Sequence, residues 1–141
     1  MIFQYIRFFS EINIDDVNIV GGKNASLGEM YRELAPQGIK VPNGFATTAE
    51  AYHYFLRHNQ LETQIKEELD ALDIEDTEAL AVSGEKIRQW ISNAEIPEDL
   101  FNEIETAYQQ LEQEYGEGVD VAVRSSGTAE DLPEASFAGQ Q

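Results

Sequence analysis

Residues 97–124 read PEDLFNEIETAYQQLEQEYGEGVDVAVR, and the spacing of their apolar side chains changes along the stretch. From Leu100 to Tyr115 apolar residues recur every three or four positions, which predicts an α-helix that stops at Gly116. Over 119–124 valine takes every second position, which predicts a strand. A helix followed by a strand, after further helices, predicts a helix-rich α/β fold.

Four more helices are predicted upstream from the same helical spacing. They run from just after Gly22 to about Leu34, from Thr47 to about Arg57, from Leu61 to Leu72 and from Leu80 to Ile91. Thr47 and Glu50 have the spacing of a capping box. The apolar N-terminal residues lack the charge order and cleavage site of a signal peptide, so they predict a strand.

The chain is thus expected to be one domain over residues 1–141, with a helical portion at about 47–116. A strand and a loop rich in small residues follow at about 119–140. This loop has neither helical nor strand period, and long unpatterned segments in compact domains are usually functional loops or tails.

Composition excludes several classes of protein. The chain has 9 Lys and Arg against 27 Asp and Glu, a net charge of −18, and no cysteine. So acidic a chain disfavours nucleic acid and anionic membranes as partners, and disulfides and thiolate metal sites are impossible. No run approaches about 18 apolar residues, so a spanning helix is not expected. The chain is predicted to be soluble and cytoplasmic.

Gly21-Gly22-Lys23 precedes the first long helix. Glycines let a backbone approach an anion closely, a helix N-terminus favours negative charge, and lysine adds a mobile cation. The spacing is not that of a Walker loop. The alternative interpretation is a glycine turn before a helix, with an incidental surface lysine.

Arg124 ends the predicted strand and is followed by Ser125 and Ser126. It is the only Lys or Arg between Arg88 and the end of the chain. A guanidinium beside hydroxyl and backbone donors suits phosphate oxygens. The alternative is an ion pair with Glu130 or Asp131, two acidic residues of the same loop.

The remaining polar and aromatic residues predict no further site. His53 and His58 are five positions apart, so they do not share a helix face and are expected to be structural or surface residues. Trp90 falls in a helical stripe, where core packing is expected. The acidic helices show no calcium-loop spacing, and a charge run usually marks a solvated face.

Three blocks carry a resemblance to a known family. They are VGGKNASLGEM at 20–30, VPNGFATT at 41–48 and VAVRSSGTAEDLPEASFAGQ at 121–140. In this order they resemble the N-terminal nucleotide-binding domain of the phosphoenolpyruvate synthase (pyruvate, water dikinase) family. Rifampicin phosphotransferases are similar at the same blocks and stay open as an alternative, as does a non-catalytic acidic interaction module. Gly127 departs from the family, which usually has alanine there.

The resemblance implies an ATP-grasp-like fold with ATP in a cleft between two subdomains. It matches Lys23 and Arg124 to phosphate-contacting cations, beside Ser125 and Ser126. The loop over the phosphates corresponds to four residues, Ser136, Phe137, Ala138 and Gly139. Magnesium ligands, the phosphohistidine domain and the pyruvate site are expected outside this chain.

In the family, ATP phosphorylates a histidine, which passes the phosphoryl group to pyruvate, while water releases the second phosphate. A 141-residue piece lacks most of that machinery, so we expect no turnover and weak or absent ATP binding. The valine face of 119–124 is expected to be uncovered, which favours self-association.

Overall fold

The computed structural model describes residues 2–128, which form six α-helices, two short strands and three 3₁₀ helices. In chain order the strands and α-helices are β1 Ile6–Phe8, α1 Val17–Val20, α2 Gly22–Leu34, β2 Phe45–Thr47, α3 Ala49–His58, α4 Leu61–Asp70, α5 Thr77–Ser92 and α6 Glu98–Tyr115. The 3₁₀ helices are Phe9–Glu11, Ile14–Asp16 and Ala35–Gln37. This part of the chain is therefore helix-rich α/β. Within it, no helix combines the length and apolar character needed to cross a bilayer.

The chain divides into two compact units. Within the described residues, the first comprises 2–51 and 99–128, and the second comprises Tyr52–Glu98. In the first unit β1 and β2 pair antiparallel, with Ile6 opposite Thr47. The predicted N-terminal strand is thus present, although it spans only three residues.

The core of the first unit forms around α2. Its buried side chains are Ile12, Val20, Ala25 and Ala46, with Phe9 and Val17 packed against them. The helix itself buries only Gly22, Ala25 and Gly28. A Cβ on Gly28 would lie 2.5 Å from the Cβ of Ile12, so the absent side chain is what admits Ile12.

The predicted apolar stripe of this helix is not its buried face. Met30 is 47% exposed, and Leu27, Tyr31 and Leu34 are only half-buried. The periodicity located α2 correctly, because helical spacing is a local signal. It did not identify the packing face, because glycine and alanine contribute little to an apolar count but allow the closest approach.

Helix α6 spans Glu98–Tyr115 and ends before Gly116, as predicted. Its buried residues are Leu100, Ala107 and Leu111, whereas Tyr115 is 48% exposed. The Glu103 carboxylate accepts hydrogen bonds from the backbone N–H groups of Gln4 and Tyr5, at 2.8 and 2.9 Å. One acidic side chain of α6 therefore holds the residues that lead into β1.

Helix α3 starts one residue later than the capping pattern predicted. The hydroxyl of Thr48, not Thr47, accepts a hydrogen bond from the N–H of Ala51 at 3.1 Å. Thr47 is in β2 and is exposed. The two adjacent threonines are chemically equivalent caps, and strand pairing with β1 decides between them.

The second unit contains α4 and α5. Helix α4 begins at Leu61, as predicted, whereas α5 begins at Thr77, three residues before the predicted start at Leu80. Asp76 caps α5, since its carboxylate accepts from the N–H of Ala79 at 3.1 Å. Between the two helices, the Ser83 hydroxyl donates to Glu68 at 2.9 Å and the Lys86 ammonium donates to the same carboxylate at 3.2 Å.

The strand predicted over 119–124 is not formed. Residues 119–127 have no regular secondary structure, and Val123 is 93% exposed. A strand is stable only when a neighbour takes up its backbone hydrogen bonds. Among the described residues only β1 and β2 pair as strands, and they pair with each other.

Candidate functional site

The two segments singled out in the sequence meet, although they are about a hundred residues apart. The Lys23 ammonium donates to the backbone carbonyl of Ser125 at 2.9 Å. The Asn24 N–H donates to the Ser126 hydroxyl at 3.2 Å, and the Gly22 N–H lies 3.4 Å from the carbonyl oxygen of Gly127. Residues 125–127 therefore dock on the N-terminus of α2.

Gly21 makes this docking possible. Its φ of +85° is a conformation that L side chains rarely adopt. A Cβ at this position would overlap the carbonyl oxygen and the hydroxyl of Ser126. The glycines were predicted to admit an anion, whereas in this structure they admit the backbone of the chain's own segment.

The segment is also held at its other end, by α6. The Tyr108 hydroxyl donates to the carbonyl of Val119 at 2.7 Å. The N–H of Gly118 donates to the Glu112 carboxylate at 2.8 Å. Arg124 thus lies between two anchored points, and its backbone is directly joined to the Ser125 peptide that Lys23 contacts.

The two cations differ in exposure. Lys23 is half-buried, whereas Arg124 is exposed. Among residues 2–128 no carboxylate forms an ion pair with the Arg124 guanidinium. The alternative partners Glu130 and Asp131 lie outside the described residues, and so do the four predicted loop residues, Ser136, Phe137, Ala138 and Gly139.

The other candidate residues fall elsewhere in the fold. His53 is 54% exposed and its Nδ1 lies 3.5 Å from the Glu62 carboxylate. The His58 ring meets the ring of Tyr54 edge-on, with centroids 6.2 Å apart. No group of three or more histidine or acidic side chains in the described part of the chain is arranged to hold a metal ion.

A separate open cleft of about 800 Å³ lies in the first unit. Its lining includes Phe3 and Phe8 together with Thr106, Gln109 and Gln113 of α6. Neither Lys23 nor any residue of 124–127 lines this cleft. The docked segment on α2 is therefore a distinct feature of the same unit.

Sequence reasoning did not identify the residues that assemble the site. The roles of Val20 and Asn24 in holding the segment were missed, as were those of Tyr108 and Glu112. The only available signal was Gly21, since adjacent glycines before a helix indicate a close approach by some group. Nothing in the sequence says that this group is Ser126.

Comparison with known proteins supplies a family match over most of the chain. Residues 17–141 match the family described as "Pyruvate phosphate dikinase, AMP/ATP-binding domain". The matched range includes both halves of the docked arrangement, α2 and residues 124–127.

Individual proteins are similar over nearly the whole chain. It is 54% identical to a phosphoenolpyruvate synthase of Deinococcus radiodurans over 96% of its length, and 53% identical to one of Neisseria meningitidis over 98%. It is 49% identical to the phosphoenolpyruvate synthase of Escherichia coli over 96%. The matched region is only 17%, 18% and 17% of those proteins, respectively.

Proposed function

Because the chain belongs to the pyruvate phosphate dikinase AMP/ATP-binding domain family, we propose that it contributes to the ATP site of a phosphoenolpyruvate synthase. In this proposal residues 1–141 are a partial nucleotide-binding domain of ATP-grasp-like fold in a cytoplasmic enzyme. The names of the relatives favour phosphoenolpyruvate synthase over a rifampicin phosphotransferase or an interaction module.

The complete enzyme, in this proposal, converts ATP, pyruvate and water to phosphoenolpyruvate, AMP and phosphate. A phosphohistidine carries the phosphoryl group between the nucleotide and pyruvate. The histidine, the pyruvate site and the magnesium ligands belong to parts of the enzyme other than these 141 residues. This chain contributes binding and positioning, and no turnover is expected from it alone.

The contact between Lys23 and the Ser125 carbonyl is the observation that supports the proposal most directly. It places the Lys23 ammonium next to the peptide that follows Arg124, the second cation. Phosphoryl transfer depends mainly on positioning and on stabilising charge, so two cations at adjacent points suit a triphosphate. An ammonium has three N–H donors, so its carbonyl contact is compatible with a phosphate contact.

The remaining site residues complete the proposed phosphate cradle. Ser125 contributes hydroxyl and backbone donors, and Ser126 holds the segment in place. A loop of four residues, Ser136, Phe137, Ala138 and Gly139, covers the phosphates with backbone N–H groups. Magnesium supplies charge neutralisation when bound, through ligands outside this chain.

ATP titration of the ¹⁵N-labelled chain, followed by amide chemical shifts, tests the proposal. The sequence predicts weak or absent ATP binding, and because Lys23 already contacts the Ser125 carbonyl, this proposal expects weak binding. ATP is therefore raised to about 10 mM, which detects dissociation constants near 1 mM. Shifts are expected at residues 21–24 and 124–127. The double variant Lys23→Ala, Arg124→Ala removes two charge-assisted contacts and should abolish them.

The matched control is Lys40→Ala, which removes an exposed lysine of the same unit. It should leave the ATP-induced shifts unchanged. Shifts that persist in the double variant, or micromolar affinity that both substitutions leave unaffected, would contradict the proposed phosphate site. So would the absence of any shift in the wild-type chain.

Self-association is a further part of the proposal. Val121 and Val123 are 49% and 93% exposed, on a segment that pairs with no strand among residues 2–128. A second copy can cover this surface. Light scattering at increasing concentration should show a dimer that weakens when both valines are replaced by lysine. A monomer at all concentrations would contradict it.

A further inference from the structure

Helix α2 begins without a cap of its own. The residue before it is Gly21, which has no side chain to accept a hydrogen bond from the first turn. The first N–H groups of a helix have no partner inside the helix and are usually capped by a nearby serine, threonine, aspartate or asparagine. In α2 the cap comes from a residue far along the chain.

Ser126 provides this cap with a single hydroxyl. Its oxygen accepts from the N–H of Asn24 at 3.2 Å and its proton is donated to the carbonyl of Val20 at 2.9 Å. Val20 is the last residue of α1, so its carbonyl also lacks a partner within that helix. The Val20 carbonyl also accepts from the Asn24 side-chain amide at 3.1 Å. The Ser126 hydroxyl thus bridges the end of α1 and the start of α2.

The surrounding geometry fits a cap rather than an incidental contact. Ser126 is half-buried, whereas Ser125 beside it is exposed. The absence of a Cβ at Gly21 is what admits the Ser126 oxygens. The Gly127 carbonyl lies 3.4 Å from the Gly22 N–H, so two adjacent residues of the segment serve the same helix turn.

We infer that Ser126 caps α2 from a distant position in the same chain. It is thereby a positioning residue that sets Arg124 beside Lys23. The inference rests on the proposed ATP site for its functional part. Because the Ser126 hydroxyl donates its only proton to Val20, it acts through the segment and not by donating to phosphate. It therefore has a different role from its neighbour Ser125.

Amide hydrogen exchange of the full 141-residue chain tests the cap directly. In Ser126→Ala the amide of Asn24 loses its acceptor, so its exchange should accelerate about fivefold or more, the factor expected for loss of a helix cap. The heteronuclear NOE of residues 124–127 should fall as the segment loosens. Ser126→Thr keeps the hydroxyl and should restore both readouts.

The matched control is Ser26→Ala, which removes an exposed hydroxyl from the same helix. It should leave the exchange of Asn24 unchanged. The ATP titration is repeated with Ser126→Ala, where shifts at 124–127 should saturate at several-fold higher ATP and return to the wild-type curve in Ser126→Thr.

Unchanged exchange at Asn24 in Ser126→Ala would overturn the cap, whatever the ATP result. Faster exchange with an unchanged ATP titration would overturn the positioning role. Faster exchange with weakened ATP binding and rescue by threonine supports both. A wild-type chain that shows no ATP shifts but loses Asn24 protection in Ser126→Ala would count against the proposed function and leave the cap standing.

Discussion

Replacing Gly21 by alanine tests whether the approach of residues 125–127 to α2 stabilises the first unit. The φ of Gly21 is +85° and its ψ is 162°, a region that is essentially restricted to glycine and costs other residues about 1–3 kcal/mol. A Cβ would also overlap Ser126, and because the overlapped atoms include its backbone carbonyl as well as its hydroxyl, the segment must move.

The magnitude follows from the contacts that would be lost. Displacement of the segment breaks the bonds from Lys23, Asn24 and Gly22 to residues 125–127. Each such bond contributes about 1 kcal/mol net, and the long Gly22 contact less. With the backbone strain, Gly21→Ala should lower the free energy of unfolding by about 3 kcal/mol or more.

Gly38→Ala is the matched control. Gly38 also has positive φ, at +80°, but a Cβ there would meet nothing within 4 Å. This variant should lose only about 1 kcal/mol of conformational energy. Urea unfolding of both variants, with amide exchange of residues 22–24, measures the difference. Equal losses in the two variants, or unchanged exchange in Gly21→Ala, would refute the reasoning.

Two further predictions concern packing and pH. Gly28→Ala places a Cβ 2.5 Å from that of Ile12 and should destabilise the chain by about 1–2 kcal/mol in urea unfolding. Gly84→Ala on α5 would bring the new Cβ no closer than 3.4 Å to a flexible arginine side chain, so it should instead raise the free energy of unfolding by about 0.5–1 kcal/mol. A lower free energy of unfolding in this variant would contradict the distinction between a crowded and an open helical glycine. The pKa of Glu68 lies below its ordinary value, chiefly because the Ser83 hydroxyl donates to its carboxylate. A carboxylate whose pKa is lower in the folded state stabilises the fold at pH values above its unfolded pKa, and this contribution is lost as pH falls through the folded pKa. The difference in Tm between wild type and Ser83→Ala should therefore shrink from about pH 7 to about pH 3. A difference in Tm that does not change with pH would mean that Ser83 stabilises the chain through packing alone.

The helices could be predicted because their signals are local. The spacing of apolar residues located α2, α4, α5 and α6, and Gly116 marked the end of α6. The strand predicted over 119–124 from its alternating valines is not formed, because alternation describes one strand and pairing requires two. The backbone partner that would stabilise it is not encoded in those six residues.

The candidate cations Lys23 and Arg124 were also selected from local chemistry. The family match over residues 17–141 supports the interpretation that the chain binds a nucleotide. The relative placement of the two cations was not predictable. The contact of Lys23 with the Ser125 carbonyl joins positions 102 residues apart, as does that of Asn24 with Ser126. Glycine at position 21 would allow many different groups to approach the start of α2, and the sequence does not say that residues 125–127 do so.

The amino-acid sequence alone determined the helix-rich composition of this chain, the approximate positions of α2 to α6 and the identity of Lys23 and Arg124 as its anion-site candidates. Tertiary structure alone decided that small residues form the buried face of α2 and that Ser126 closes the start of that helix. The reason is physical: periodicity and capping act over a few residues. A contact across a hundred residues must outweigh the entropy of closing the loop, and packing elsewhere in the fold decides whether it does.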